Sequence, residues 1–298
     1  MPAFVSFAQN FEDVMLWRAL KHVERGFYID IGAYSPVVDS VTQAFYQRGW
    51  RGINVEPQPD CYRELLAARK LDVNLAVAVA DETKELTMSF VSNPGLSTLN
   101  EWQAKQRLRE GHSLVRQKVQ VDTLDAIWTA HVPVNQPVHF LKIDVEGLER
   151  EVLLGNDWEA HRPWIVIVEA TAPTTPKPSY VEWEGILTGA RYFYAYFDGL
   201  NRFYVASEHR DLAMAFRSPP NVFDDFIRAS EVQASERAAR AERELMRAER
   251  ELMELRATRS WRWTSPLRAS GALRRRVGVG WRRGWRTVRK AISAASPR

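Results

Sequence analysis

The apolar and polar positions of this 298-residue chain change period several times. Short apolar runs bounded by glycine, proline or acidic residues read as strands: GFYIDIG at 26–32, GINVEP at 52–57, VNLAVAVA at 73–80, HFLKID at 139–144 and WIVIVEA at 164–170. Runs with helical spacing stand between them. DSVTQAFYQRG at 39–49 offers Asp39 as a cap, Val41 and Phe45 one turn apart, and Gly49 as a stop. PDCYRELLAARK at 59–70 and LEREVLLG at 148–155 read the same way. KELTMSFV at 84–91 alternates as a β-ribbon does, and RYFYAYFDGLNRFYVAS predicts a hairpin turning at Asp198-Gly199. Residues 93–118 are polar and hold Pro94, Gly95 and Gly111, so a mobile loop with some helix is expected there, placed to act as a lid. Repeated strand-helix-strand units predict a mostly parallel sheet with helices on both faces, closed by an antiparallel pair.

The pattern changes after SPPN at 218–221. RAERELM occurs at 240–246 and again at 247–253, and Ala234, Ala238, Ala241, Leu245, Ala248, Leu252 and Leu255 fall at alternating spacings of four and three. This heptad seam predicts a helix that either pairs with copies of itself or stands alone on Glu-Arg pairs. Beyond it, Leu273, Val277, Trp281, Trp285, Val288 and Ile292 form one stripe flanked by arginines. A basic amphipathic tail with tryptophans suits an anionic membrane surface, and its glycines favour folding on contact. The bland alternative is an unstructured basic tail with nonspecific nucleic-acid contact. Three segments follow: a globular domain at 1–222, a heptad helix at 223–258 and the basic tail at 259–298.

Charge sharpens this division. The tail carries twelve Lys or Arg and no Asp or Glu, so a chain of net charge +4 has a body of net charge −8. An acidic body makes nucleic acid an unlikely substrate. The single cysteine, Cys61, excludes an internal disulfide and fits a reducing compartment. The N-terminus lacks a basic region followed by a long apolar stretch, and no apolar run reaches the roughly 20 residues of a membrane-spanning helix. A cytoplasmic protein, peripheral at the inner membrane face, is expected.

Ligands of open α/β sheets bind at the carboxyl ends of the strands. Those ends carry Asp30 with Gly32, then Glu56, Asp81, Asp144 with Glu146, and Glu169. One such residue is usually a cap or a solvated turn; five strands in succession call for another cause. The first turn, DIGAYSP, lacks the glycines that let backbone approach a pyrophosphate. An acidic, glycine-poor turn suits a cationic ligand without phosphate, and S-adenosylmethionine is one. Asp30 would support its ammonium end, Glu56 its ribose hydroxyls, and Asp81 the adenine edge. Asp144 and Glu146 would then face the acceptor, one carboxylate taking a hydroxyl proton. The alternative for Glu146 is a cap for the 148–154 helix. Paired carboxylates also bind divalent metals, but no further ligand cluster supports a metal site. His139 reads as structural, His112 as a loop residue and Cys61 as core.

SFAQNFEDVMLWRAL, FYIDIGAYSP, GINVEP, VADE, VDTLD and FLKIDVEGLEREVLLG together resemble the FkbM family of methyltransferases, from about Ser6 to Phe223. The resemblance implies a class I methyltransferase (Rossmann-like) sheet, S-adenosylmethionine as cofactor, and methyl transfer, usually to a hydroxyl. It carries Asp30, Gly32, Ala33, Glu56 and Asp81 over as cofactor contacts. It also places Ser6, Gln9 and Asn10 in an N-terminal motif that closes over the methionine end. RSWRWTSPLR at 259–268 resembles a short element at the ends of bacterial glycosyltransferases and other polysaccharide-assembly proteins. The expectation is therefore an O-methyltransferase acting on a sugar of a surface glycan or its lipid-linked precursor. Rival readings are small natural-product methylation, an RNA methyltransferase, and a non-catalytic scaffold of methyltransferase shape.

Overall fold

A computed structural model describes residues 3–91, 114–173 and 175–257. The tail expectation, and the parts of the lid that hold Trp102 and His112, fall outside these residues. The chain divides into two units, residues 1–231 and 232–298.

Among the described residues, the first unit contains twelve strands: β1 (Phe4–Ser6), β2 (Phe27–Ile31), β3 (Arg51–Val55), β4 (Val73–Leu75), β5 (Ala78–Val79), β6 (Lys84–Val91), β7 (Leu114–Asp122), β8 (Phe140–Ile143), β9 (Ile165–Glu169), β10 (Tyr192–Phe197), β11 (Asn201–Ala206) and β12 (Phe226–Arg228). The main sheet has seven strands in the order β10-β11-β9-β8-β2-β3-β4. β11 is antiparallel to both neighbours, and the other pairs are parallel. Strand order reverses between β2 and β8, which makes that junction the topological switch point.

Alternate residues of these strands feed two cores. Ile29, Ile53, Leu141, Ile143, Val166 and Val168 pack on one face with Leu124, Val152 and Leu187. Tyr28, Phe140, Ile167 and Phe203 pack on the other with Met15, Leu16, Phe45 and Phe216. His139 is structural, as expected: its Nδ1 accepts from Phe27 N at 3.1 Å between Trp50 and Trp164. Burial pushes it down to about 4. Cys61 is buried.

Three sequence readings are corrected. VNLAVAVA is not one strand; β4 pairs with β3, whereas β5 joins β7 in a separate three-stranded sheet. Leu114–Lys118, expected as loop, is part of the strand Leu114–Asp122 antiparallel to β6. The helix expected over 39–49 spans only Gln43–Gln47, with Thr42 at its N-cap, because Asp39 sits at φ 54 in the turn before it. Gly49, at φ 90, does end it.

The body continues past residue 222. β12 pairs in parallel with β1, and Asn221 and Asp224 close a capping box. Arg18 on the helix Glu12–Leu20 grips Asp224 at 2.7 and 2.6 Å and the carbonyls of Ala215, Ser218 and Pro219. The helix thus begins at Ala229 and runs to Ala257, with no buried residue. On it, Leu245, Leu252 and Leu255 are exposed. The flanking heptad positions are all acidic in the repeat: Glu242, Glu244, Glu249 and Glu251. Among the described residues, no helix is long and apolar enough to cross a membrane.

Candidate functional site

β8 ends in Asp144-Val145-Glu146-Gly147, and the last two residues both take left-handed backbone, at φ 56 and φ 100. That conformation costs a non-glycine residue about 1–2 kcal/mol, so something must fix the turn. Glu149 does: its Oε1 accepts from Val145 N at 3.2 Å and Gly147 N at 3.0 Å. Burial raises the Glu149 carboxyl to about 7 despite these bonds. The helix Glu149–Leu154 has Leu148 at its N-cap, without a side-chain cap. Glu149 therefore ties the loop at the helix start. Glu146 lines the cleft described below.

The tip of β2 meets that turn backbone to backbone. Gly32 has φ 78, and a Cβ there would lie 1.8 Å from the Asp144 carbonyl oxygen. Only glycine permits this approach. Asp30 is 2% exposed; its Oδ2 accepts from Thr42 Oγ1 at 3.2 Å, and its Oδ1 has no hydrogen-bond partner. Burial raises its pKa.

Lys142 lies beside Asp30 in the β2–β8 register. Its Nζ donates to Gly32 O at 2.8 Å and stands 3.5 Å from Asp30 Oδ1 and 3.3 Å from Asp144 Oδ2. Burial alone would lower the Lys142 pKa, but Asp144 and Asp30 outweigh it and raise the pKa above the lysine range. At the tip of β3, Glu56 Oε2 accepts from Tyr34 N at 2.9 Å and Oε1 from Gln58 N at 2.8 Å. Burial raises Glu56 as well. One bond per oxygen leaves lone pairs for ligand hydroxyls.

These tips enclose a cleft of about 300 Å³, at the lower end of small-molecule sites. Seven of the residues singled out from sequence line it: Gln9, Asp30, Gly32, Ala33, Glu56, Asp144 and Glu146. Asp81 and Asn10 are not in its lining. Asp81 is exposed, just past Ala78 and Val79, which do line the cleft. Asn10 Nδ2 donates to Asp198 O at 3.1 Å. Ser6 is turned to Asp13, donating to its Oδ1 at 2.7 Å. Glu169 is buried with Oε2 unpartnered; burial and then Asp144, Glu146 and Glu149 raise it to about 10.

Sequence reasoning missed Lys142, Glu12 and Asn201, all of which line the cleft. A lysine inside FLKI was the available signal, since a buried charge needs a partner. Glu12 gave none: it accepts from Asn201 Nδ2 at 2.8 Å, 189 positions along the chain. Burial, then Asp198, raises Glu12 to about 8.

The described lining holds six carboxyl side chains (Glu12, Asp30, Asp39, Glu56, Asp144 and Glu146) and one amine, Lys142. That balance favours a cationic, hydroxyl-bearing ligand and disfavours phosphate. Asp30 Oδ1, which faces Lys142 Nζ at 3.5 Å but accepts no hydrogen bond, and the spare lone pairs of Glu56 fit the same ligand. Among the described residues, no group of three or more His, Cys, Asp or Glu is arranged to hold a metal ion.

A sheet of this order with its cleft at the switch point defines a Rossmann-like α/β protein. The family model for the methyltransferase FkbM domain matches residues 30–194, more than half of the chain. The chain belongs to that family and is a methyltransferase. No curated protein matches it.

Proposed function

We propose that the chain is an S-adenosylmethionine-dependent O-methyltransferase acting on a sugar hydroxyl of a surface glycan or its lipid-linked precursor. The observation that supports this best is the convergence of Asp30, Glu56 and Asp144 on one acidic cleft at the switch point. Asp30, Gly32 and Ala33 would hold the amino-acid end of the cofactor, with Gln9 over it, and Glu56 its ribose hydroxyls. The bound cofactor supplies an electrophilic methyl group. Asp144, at the rim with 36% of its side chain exposed, accepts a hydrogen bond from the acceptor hydroxyl and takes its proton. Glu146 orients the acceptor through a neighbouring hydroxyl. Such positioning supplies much of the rate in an in-line displacement.

A polyhydroxylated acceptor suits a cleft rich in hydrogen-bond acceptors, and the 259–268 element supports a place in glycan assembly. The tail would hold the enzyme to an anionic membrane face, and the heptad seam would join copies of the chain. Calorimetric titration with S-adenosylmethionine tests the donor: Glu56→Ala should weaken binding about 10–100-fold, or about 1.4–2.8 kcal/mol. A wild-type chain that gives no heat refutes the assignment. Mass spectrometry of surface glycans with and without the gene tests the acceptor, by the loss of one methyl group per modified sugar. Sedimentation with anionic vesicles tests the tail: the full chain should pellet and residues 1–258 should not.

A further inference from the structure

Lys142 is the one amine among the described residues lining an acidic cleft. It emerges from an apolar strand, beside Asp30 in register and two residues before Asp144. Its ammonium touches three oxygens on two strand tips: Gly32 O, Asp30 Oδ1 and Asp144 Oδ2. The tips are already in backbone contact at Gly32. A hydrogen bond to one carbonyl would suffice to pin them. The added charge therefore invites a reason of its own.

That reason lies in the ligand's change of charge. Between S-adenosylmethionine and its demethylated product the sulfur goes from sulfonium to neutral thioether, while the rest of the molecule is unchanged. A cleft of carboxylates alone would hold the two forms very differently. We infer that Lys142 is a positioning residue whose fixed positive charge also narrows the cleft's preference for the cationic donor over the neutral product. This rests on the donor proposed above. One unit charge acting across a protein site of intermediate dielectric changes affinity for a second charge by on the order of tenfold; a neutral thioether does not feel it.

The test is calorimetric titration of the full chain with S-adenosylmethionine and, separately, with S-adenosylhomocysteine. Lys142→Gln removes the charge and keeps a donor for Gly32 O. Both ligands should bind more weakly to it than to wild type, yet the donor-to-product affinity ratio should rise about tenfold. Lys142→Arg keeps the charge and should restore the wild-type ratio. Asp144→Asn, at a partly exposed position, removes a negative charge and should shift the ratio toward the product, which keeps the test decisive if Lys142→Gln does not fold. Equal weakening of both ligands in Lys142→Gln would reduce Lys142 to a structural clamp and overturn the inference, as would an Asp144→Asn ratio that stays fixed or rises. A wild-type chain that binds neither ligand overturns the donor assignment, and this inference with it.

Discussion

Replacing Gly32 with alanine perturbs the closest approach in the site. At φ 78 the added Cβ meets left-handed backbone and lies 1.8 Å from the Asp144 carbonyl oxygen. The conformation alone costs alanine about 1–2 kcal/mol. Relieving the overlap forces the tips of β2 and β8 apart, as in overpacked cores, at about 1–3 kcal/mol more. The sum, about 2–5 kcal/mol, is a large share of the stability of an ordinary domain. It corresponds to a melting-temperature loss of roughly 5–15 °C for a body of this size. The function should suffer further, because Lys142 donates to Gly32 O and faces Asp144. Urea unfolding of wild type and Gly32→Ala measures the first quantity, and titration with S-adenosylmethionine the second, with at least about tenfold weaker binding expected. A variant within about 0.5 kcal/mol of wild type, with unchanged affinity, would refute the claim that these two backbones must touch.

Two further expectations concern the acid groups and the helix. Glu12 is raised from 4.5 to about 8, so the folded chain keeps a proton that the unfolded chain releases. Its contribution is complete below pH 4.5 and is lost as pH rises toward 8, with a slope near 1.4 kcal/mol per pH unit at most. Urea midpoints should therefore fall between pH 5 and pH 8, and less steeply in Glu12→Gln; equal slopes in the two proteins would contradict the assignment. Across a parallel pairing of two copies Glu244 would face Glu249, but Arg237 would face Glu242 and Glu251 would face Arg256, so attractive pairs outnumber the repulsive one. Self-association should accordingly weaken between about 50 and 500 mM salt, and a sedimentation profile of monomer throughout that range would remove the seam as an interface.

The strands were legible where apolar runs met glycine or acid, as at GFYIDIG and HFLKID. VNLAVAVA was not, because the six apolar residues after Asn74 carry no mark of where the chain leaves β3 for β7. Asp81 stays outside the lining although Ala78 and Val79 of the strand before it reach the cleft. β7 was missed because its alternation, LVRQKVQVD, places polar residues at nearly every outward position and reads like loop. Asp30, Gly32, Glu56 and Asp144 could be found from one rule, that ligands gather at parallel strand ends. Lys142 was visible as a charge in an apolar run, but its role needs the register that sets it beside Asp30. Glu12 and Asn201 meet only through the fold.

The parallel pairing of β1 with β12 also dictates an order of events during synthesis. Phe4–Ser6 leaves the ribosome first, yet its partner Phe226–Arg228 follows about 220 residues later. The opening strand must wait unpaired for nearly the whole domain, and contacts so distant in the chain form late. Gln9 and Glu12, just downstream of that strand, line the cleft, and Glu12 itself meets Asn201 from 189 positions later. Truncated translation products would thus carry most of the sheet without the β1–β12 pair.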